Sequence, residues 1–244
     1  MFRTPQHAFR RTLVAIALLG LALSLAACGA TRGYRRGVTE SGFLGDYSEL
    51  KPREGYDAQE VYINPNADWS RYDSVVIDSV SLWITGKSDR KLSDQDRQML
   101  TDTVYKALHD ALSEYFVIVD YPQPDAVRLR AALTEVKGAN VATRTLTTVV
   151  PQLRVASTIA GLGADVASTV GTATVEVEVL DSVTGVRLAA AVDSRAGNKA
   201  LFSGRTFQKW GDFEAAAQHW AKRAAYRLAT FGVRRKPGAP MPEA

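Results

Sequence analysis

Histidine is the first side chain to weigh for chemistry at neutral pH, and the chain has three. His7 lies in an N-terminal segment with the marks of a cleaved leader. His109 and His219 each fall in a stretch of helical periodicity, with no His or Cys three or four residues away. Zinc needs several converging nitrogen or sulfur ligands, and this spacing supplies none. A histidine-assisted nucleophile would need the fold to bring His109 or His219 to a serine and a carboxylate. Gly161-Leu162-Gly163 has neither a preceding strand nor a third glycine at the phosphate-binding spacing. Glu176 and Glu178 alternate along one strand face and read as a solvated edge rather than as an acid and base pair. No catalytic residue, cofactor or metal is therefore expected.

Ser48-Glu49-Leu50-Lys51 matches the Ser-x-x-Lys string of penicillin-recognising enzymes, yet it lies outside any helix start and its companion motifs are missing. The remaining reactive group is the sole thiol, Cys28. It closes Leu25-Ala26-Ala27-Cys28, after a positive segment holding Arg3, Arg10 and Arg11 and an apolar run from Thr12 to Leu25. That run falls short of the roughly 20 residues of a spanning helix, and its layout is that of a secretory signal. Leu-Ala-Ala-Cys resembles the lipobox of bacterial lipoproteins. The resemblance implies a diacylglyceryl thioether on Cys28, cleavage before it and acylation of the new amino group. At ~0.8 kcal/mol per buried methylene, two chains anchor a protein stably. Gly29, not aspartate, follows the cysteine, which in the sorting rule of enteric-type bacteria favours the outer membrane, with the body facing the periplasm. With its thiol acylated, the domain must hold by packing without a disulfide.

The formal charge of +4 misleads, because basic residues crowd the ends of the chain. Arg32, Arg35 and Arg36 follow the cysteine, and Arg234, Arg235 and Lys236 precede the C-terminus. The body between them is acidic on balance, and nothing argues for nucleic-acid binding. The expected organisation is a signal at 1–27, a lipidated tether at 28–59, a domain at 60–233 and a disordered basic tail at 234–244. Inside the tether, residues 41–50 form an apolar island. Leaving Phe43, Leu44, Tyr47 and Leu50 in water is unfavourable, so they are expected to dock onto the domain or onto a partner.

Ser41-Gly42-Phe43-Leu44, then Asp46-Tyr47-Ser48 and Leu50, shortly after the lipobox, resembles the opening signature of a proteobacterial lipoprotein family catalogued as a domain of unknown function. Tyr62-Ile63-Asn64-Pro65 and Asp181-Ser182-Val183-Thr184-Gly185 are similar to that family too. The resemblance covers most of the mature chain and implies a periplasmic or surface lipoprotein. It supplies no catalytic residue.

The elements that would position these residues follow from periodicity. Tyr72 to Leu82 reads as a strand. Ser93 caps a helix running to about Tyr115, with Met99, Leu100, Val104, Leu108 and Leu112 on one stripe. Phe116 to Val119 is a short strand, and Val127 to Thr134 alternates as a half-buried one. Gly138–Gly171 is a long excursion rich in Thr, Ala, Val and Gly. Leu153, Ile159 and Leu162 within it are candidate partner contacts, because such excursions are commonly functional. Ala173 to Leu180 and Val186 to Val192 form a hairpin whose apolar residues are expected on one face, with Ser194 to Lys199 as polar loop. Asp212 caps a last helix ended by Gly232.

The fold expected is α/β: a single mixed or mostly antiparallel sheet with two long helices on one face, in the order strand-helix-strand-strand-excursion-hairpin-helix. The function expected is that of a non-catalytic interaction or assembly module of the cell envelope, with an envelope protein or cell-wall component as partner. Phe43, Leu44, Tyr47 and Leu50 join the excursion residues as its candidate contacts. Two alternatives stand beside it: a subunit of a membrane-associated oligomer or export channel, and an envelope hydrolase.

Overall fold

The computed structural model describes residues 32–33, 39–84, 92–137, 172–196 and 211–243. All of them belong to one folding unit, Thr31–Ala244. The expected contacts Leu153, Ile159 and Leu162, and Cys28 with its signal, lie outside the described residues.

The strands are β1 (Arg32–Gly33), β2 (Glu60–Ile63), β3 (Ser74–Ile77), β4 (Ser81–Leu82), β5 (Val117–Ile118), β6 (Ala126–Lys137), β7 (Thr172–Asp181) and β8 (Arg187–Ala196). Two long helices complete the fold, α1 (Asp94–Tyr115) and α2 (Gly211–Phe231). The strands form one mixed sheet in the order β1-β8-β7-β6-β3-β5, with β2 also on β8 and β4 also on β6. β6, β7 and β8 are antiparallel neighbours, whereas β3 runs parallel to both β5 and β6. Parallel neighbours need a crossover, and α1 is the crossover between β3 and β5. The architecture is the α/β sheet with two helices that the periodicity implies.

α1 starts where Ser93 accepts a hydrogen bond from the Asp96 N–H at 3.1 Å, with Asp94 and Asp96 in the dipole-favoured first turn. It buries Leu100, Val104, Leu108 and Leu112. α2 ends at Gly232, whose φ of +116° suits glycine, and the Val233 N–H closes onto the Leu228 carbonyl at 3.0 Å. Both helices cover the same side of the sheet, where Val127, Leu129, Ala131, Leu133, Val175 and Val179 join one continuous core.

The structure departs from the sequence reading in several places. The stretch from Tyr72 to Leu82 is two short strands, β3 and β4, and β1 and β2 precede them. The expected tether is largely part of the domain: Lys51 bridges Val61, and Gln59 N–H bonds the Val192 carbonyl at 2.9 Å. Ser194, Arg195 and Ala196 belong to β8 rather than to a polar loop. The basic tail, expected to be disordered, is tied down as far as Lys236. Arg234 N–H bonds the Tyr72 carbonyl at 2.8 Å, and Lys236 Nζ donates to the Ser113 carbonyl at 2.7 Å. A cation there meets the unsatisfied carbonyls at the end of α1, which is what holds it.

The hairpin also changes phase. An irregularity in the pairing of β7 with β8, between Val179 and Leu180, sets Glu176 opposite Val192 and Glu178 opposite Ala190. Ala190 and Val192 therefore lie on the side away from the helices, not with the valines of β7. A one-residue shift exchanges the two faces of a strand.

Candidate functional site

On the side away from the helices, Phe43, Leu44, Tyr47 and Leu50 form a second apolar cluster with Ala132, Ala190 and Val192. All four island side chains are buried there. This assigns them to the protein's own core: of the two covers expected, the domain receives them, and they are not free as partner contacts. The physical reason is that each fully buried large side chain contributes about 1.5–3 kcal/mol, and Ala132, Ala190 and Val192 offer an apolar patch to receive them.

Beneath the island the sheet carries charge. Glu176 is 0 % exposed and Glu178 3 %, so neither is the solvated edge that their alternation suggests. Tyr47 Oη donates to Glu176 Oε2 at 2.5 Å and accepts from the Gly42 and Leu44 N–H groups at 3.0 and 3.3 Å. Burial, then the bond to Glu176, raises the Tyr47 hydroxyl above its ordinary pKa. Glu176 Oε1 is buried without a hydrogen-bond partner. Glu178 sits between two guanidinium groups, Arg130 and Arg187. Arg187 also donates to the Asp46 carbonyl at 2.8 Å and to that of Leu44, and Arg130 lies 5.2 Å from the Phe43 ring centre.

The signature residues are thus mostly structural. Ser41, Gly42 and Leu44 surround the Tyr47 hydroxyl, and Asp46 accepts from the Ser48 N–H at 2.9 Å. Asp181 Oδ1 accepts from the Val183 and Thr184 N–H groups at 3.1 and 2.8 Å, while its Oδ2 receives the Tyr72 hydroxyl at 2.8 Å. Burial and that bond push the Tyr72 pKa up to about 12. Asn64 donates to the Arg187 carbonyl at 3.1 Å, pinning the end of β2.

The helix side holds a different arrangement. Between the sheet and α2 lies a cavity of about 130 Å³ whose walls include Val61, Leu129, Val175, Val177, Ala189, Ala191, Trp220, Ala224 and Leu228. Val177 and Ala191 face the helices on two inner strands yet are partly exposed, because small alanines leave the space unfilled. Tyr56, Asp57 and Ala58 cross its rim, opposite Arg223 and Arg227 on α2.

A polar cluster latches that crossing segment. Asp57 Oδ2 lies 2.9 Å from Arg195, 3.3 Å from Arg223 and 3.0 Å from His219 Nε2, the last not aligned for a hydrogen bond. Asp193 accepts from Arg195 Nε at 2.7 Å and from Trp220 Nε1 at 2.8 Å. The Arg227 guanidinium stacks 3.9 Å over the Tyr56 ring and donates to the Gly55 carbonyl. Burial tends to raise the Asp57 carboxyl, but Arg195 and its neighbours outweigh it and hold the group below the usual range. Burial prevails at Asp193 and raises it despite Arg195. At His219, burial and then the nearby Arg195 push the pKa down to about 4, so the imidazole is uncharged at neutral pH.

Sequence reasoning missed this cluster because Asp193 and Arg195 were assigned to strand end and loop, and Asp57 to the tether. Asp193-Ser194-Arg195 is a run of three polar residues with no alternation, and only its pairing with β7 makes it strand. Of the two histidines, the fold brings His219 to a carboxylate, while His109 sits on the exposed side of α1 near Asp110 and stacked on Tyr105. Among the described residues no group of three His, Cys, Asp or Glu side chains could hold a metal ion, and no helix is long and apolar enough to cross a membrane.

Fold and site together define a class: an open α/β sheet, helix-covered on one side and loop-covered on the other, with a strapped apolar cavity. Comparison with curated proteins gives no match. The chain belongs to the family described as a protein of unknown function (DUF3313), which it matches over residues 39–224, from the edge of the island into α2. Among solved structures it is similar to two PelC dodecamers from Paraburkholderia phytofirmans, one of them carrying a point substitution. They are 13% and 14% identical, each with a TM-score of 0.37, covering 72% of this chain and 96% of the other.

Proposed function

We propose that this protein is a lipid-anchored module of the bacterial cell envelope that works by binding rather than by turnover. Cys28 carries the acyl chains, and the body lies at the periplasmic side of the outer membrane. The observation that carries the reading is Leu25-Ala26-Ala27-Cys28, closing a short apolar run behind Arg3, Arg10 and Arg11 in a chain with no other thiol.

The use of the buried charges supports binding over catalysis. Glu178 joins Arg130 and Arg187 to the island, and Asp193 joins Arg195 to Trp220. Each is engaged in holding elements together. A general acid or base needs a titratable proton within reach of substrate, and groups so engaged are poor candidates.

Growth with labelled palmitate tests the anchor. The wild-type chain is expected to take up label and to fractionate with outer-membrane lipid, and Cys28→Ser to lose both. A Cys28→Ser chain that still incorporates label and fractionates like the parent would overturn the reading.

A further inference from the structure

The cavity under α2 is not explained by packing. It is half open at the strap, and its wall is almost wholly apolar, so water inside it finds few polar partners away from the rim. The volume of about 130 Å³ approaches that of an engineered apolar cavity of about 150 Å³ that stays dry and takes up benzene. It has room for the end of a hydrocarbon chain.

The rim is polar and carries more positive than negative charge. Asp57 and Asp193 are both engaged by the buried Arg195 behind the rim, which leaves Arg223 and Arg227, each partly exposed, as the cations at its edge. Arg223 reaches Asp57 only at 3.3 Å and is itself partly exposed, so it can turn to an incoming anion. The Tyr56 ring, stacked under Arg227, supplies an apolar threshold between rim and cavity.

We propose that this cavity binds a single acyl chain bearing an anionic head. The methyl end enters between Trp220, Val177, Ala191 and Ala224, and the head meets Arg223 and Arg227. The strap Tyr56–Ala58 lies across the chain where it leaves the cavity. The inference deepens the view of the protein as a binding module but does not rest on the anchor at Cys28.

The test uses the full chain with Cys28→Ser, so that success or failure is independent of lipidation. 11-Bromoundecanoate, below its micellar concentration, is expected to bind saturably in calorimetry and to quench tryptophan fluorescence. Trp220→Phe should keep most of the heat and lose most of the quenching. Ala224→Leu, which fills the cavity, should weaken binding at least tenfold and raise Tm. Ala191→Val provides the same comparison from the sheet side should the first variant fail to fold. Arg223→Gln should weaken the acid about fivefold while leaving the matching alcohol unchanged. Absence of saturable binding, or undiminished binding in both filled variants, overturns the proposal. Equal loss of acid and alcohol in Arg223→Gln overturns the assignment of the head.

Discussion

The two sides of the sheet are built from the same strands but hold their covers differently. Toward α1 and α2, the side chains of β6 and β7 are aliphatic, and the helices bring stripes of Leu, Val and Ala to meet them. Toward the island, β7 offers Glu176 and Glu178, and the cover is a short segment with four apolar side chains. An amphipathic helix can dock on apolar area alone, since its backbone bonds are internal. A loop has unsatisfied N–H and C=O groups to place, and here the Tyr47 hydroxyl accepts from two of the N–H groups while Arg187 donates to two of the carbonyls. Under the island, buried charge serves to fasten a loop that cannot satisfy its own backbone.

The largest test of that contrast is Glu178→Ala. It leaves Arg130 and Arg187 facing an emptied site under the island and is expected to cost about 3–5 kcal/mol in urea unfolding. A loss below 1 kcal/mol would mean that the island holds by its apolar residues alone, as the helices do.

On the helix side the corresponding polar feature is the Asp57 cluster, which should appear as a pH dependence. His219 has a folded pKa of about 4 against 6.5 for the free side chain, so its contribution is full above pH 6.5 and is lost as pH falls through 4. Asp57, held low, acts in the same direction, whereas Asp193, raised, acts against it. Up to about 3 kcal/mol of stability at neutral pH should therefore disappear by pH 4, and His219→Gln should lose less. Identical acid limbs in the two proteins would remove His219 from the account.

Tyr47→Phe is the finest of the three. It keeps the buried ring and removes only the hydroxyl, stranding Glu176 Oε2 and the N–H groups of Gly42 and Leu44. A loss of about 2 kcal/mol is expected, together with faster amide exchange at residues 42–48 than in α1. Uniform exchange across both sides would show that the island opens only with the whole domain.

The helices and the long strands were legible because their signals are local. Ser93 with Asp94 and Asp96, the stripe from Leu100 to Leu112, and Gly232 mark ends and faces without reference to the rest of the chain. The expected hairpin was legible for the same reason, but its phase was not. The irregularity between Val179 and Leu180 reassigns Ala190 and Val192, and nothing in Val186-Arg187-Leu188 announces it. The candidate contacts Phe43, Leu44, Tyr47 and Leu50 were legible as residues that must be covered, while what covers them was not. The cluster of Asp57, Asp193, Arg195, His219 and Arg223 draws on three separate stretches, and only their convergence gives it meaning.

By itself the sequence determined the secondary elements, the α/β class and the apolar character of the island, because periodicity and side-chain chemistry act over a few residues. Tertiary structure alone decided that two glutamates on an alternating strand are interior, that the basic tail is docked, and that alanines opposite α2 leave a cavity. Burial depends on what arrives from elsewhere in the chain, and a strand pattern describes both of its faces without saying which of them will meet water.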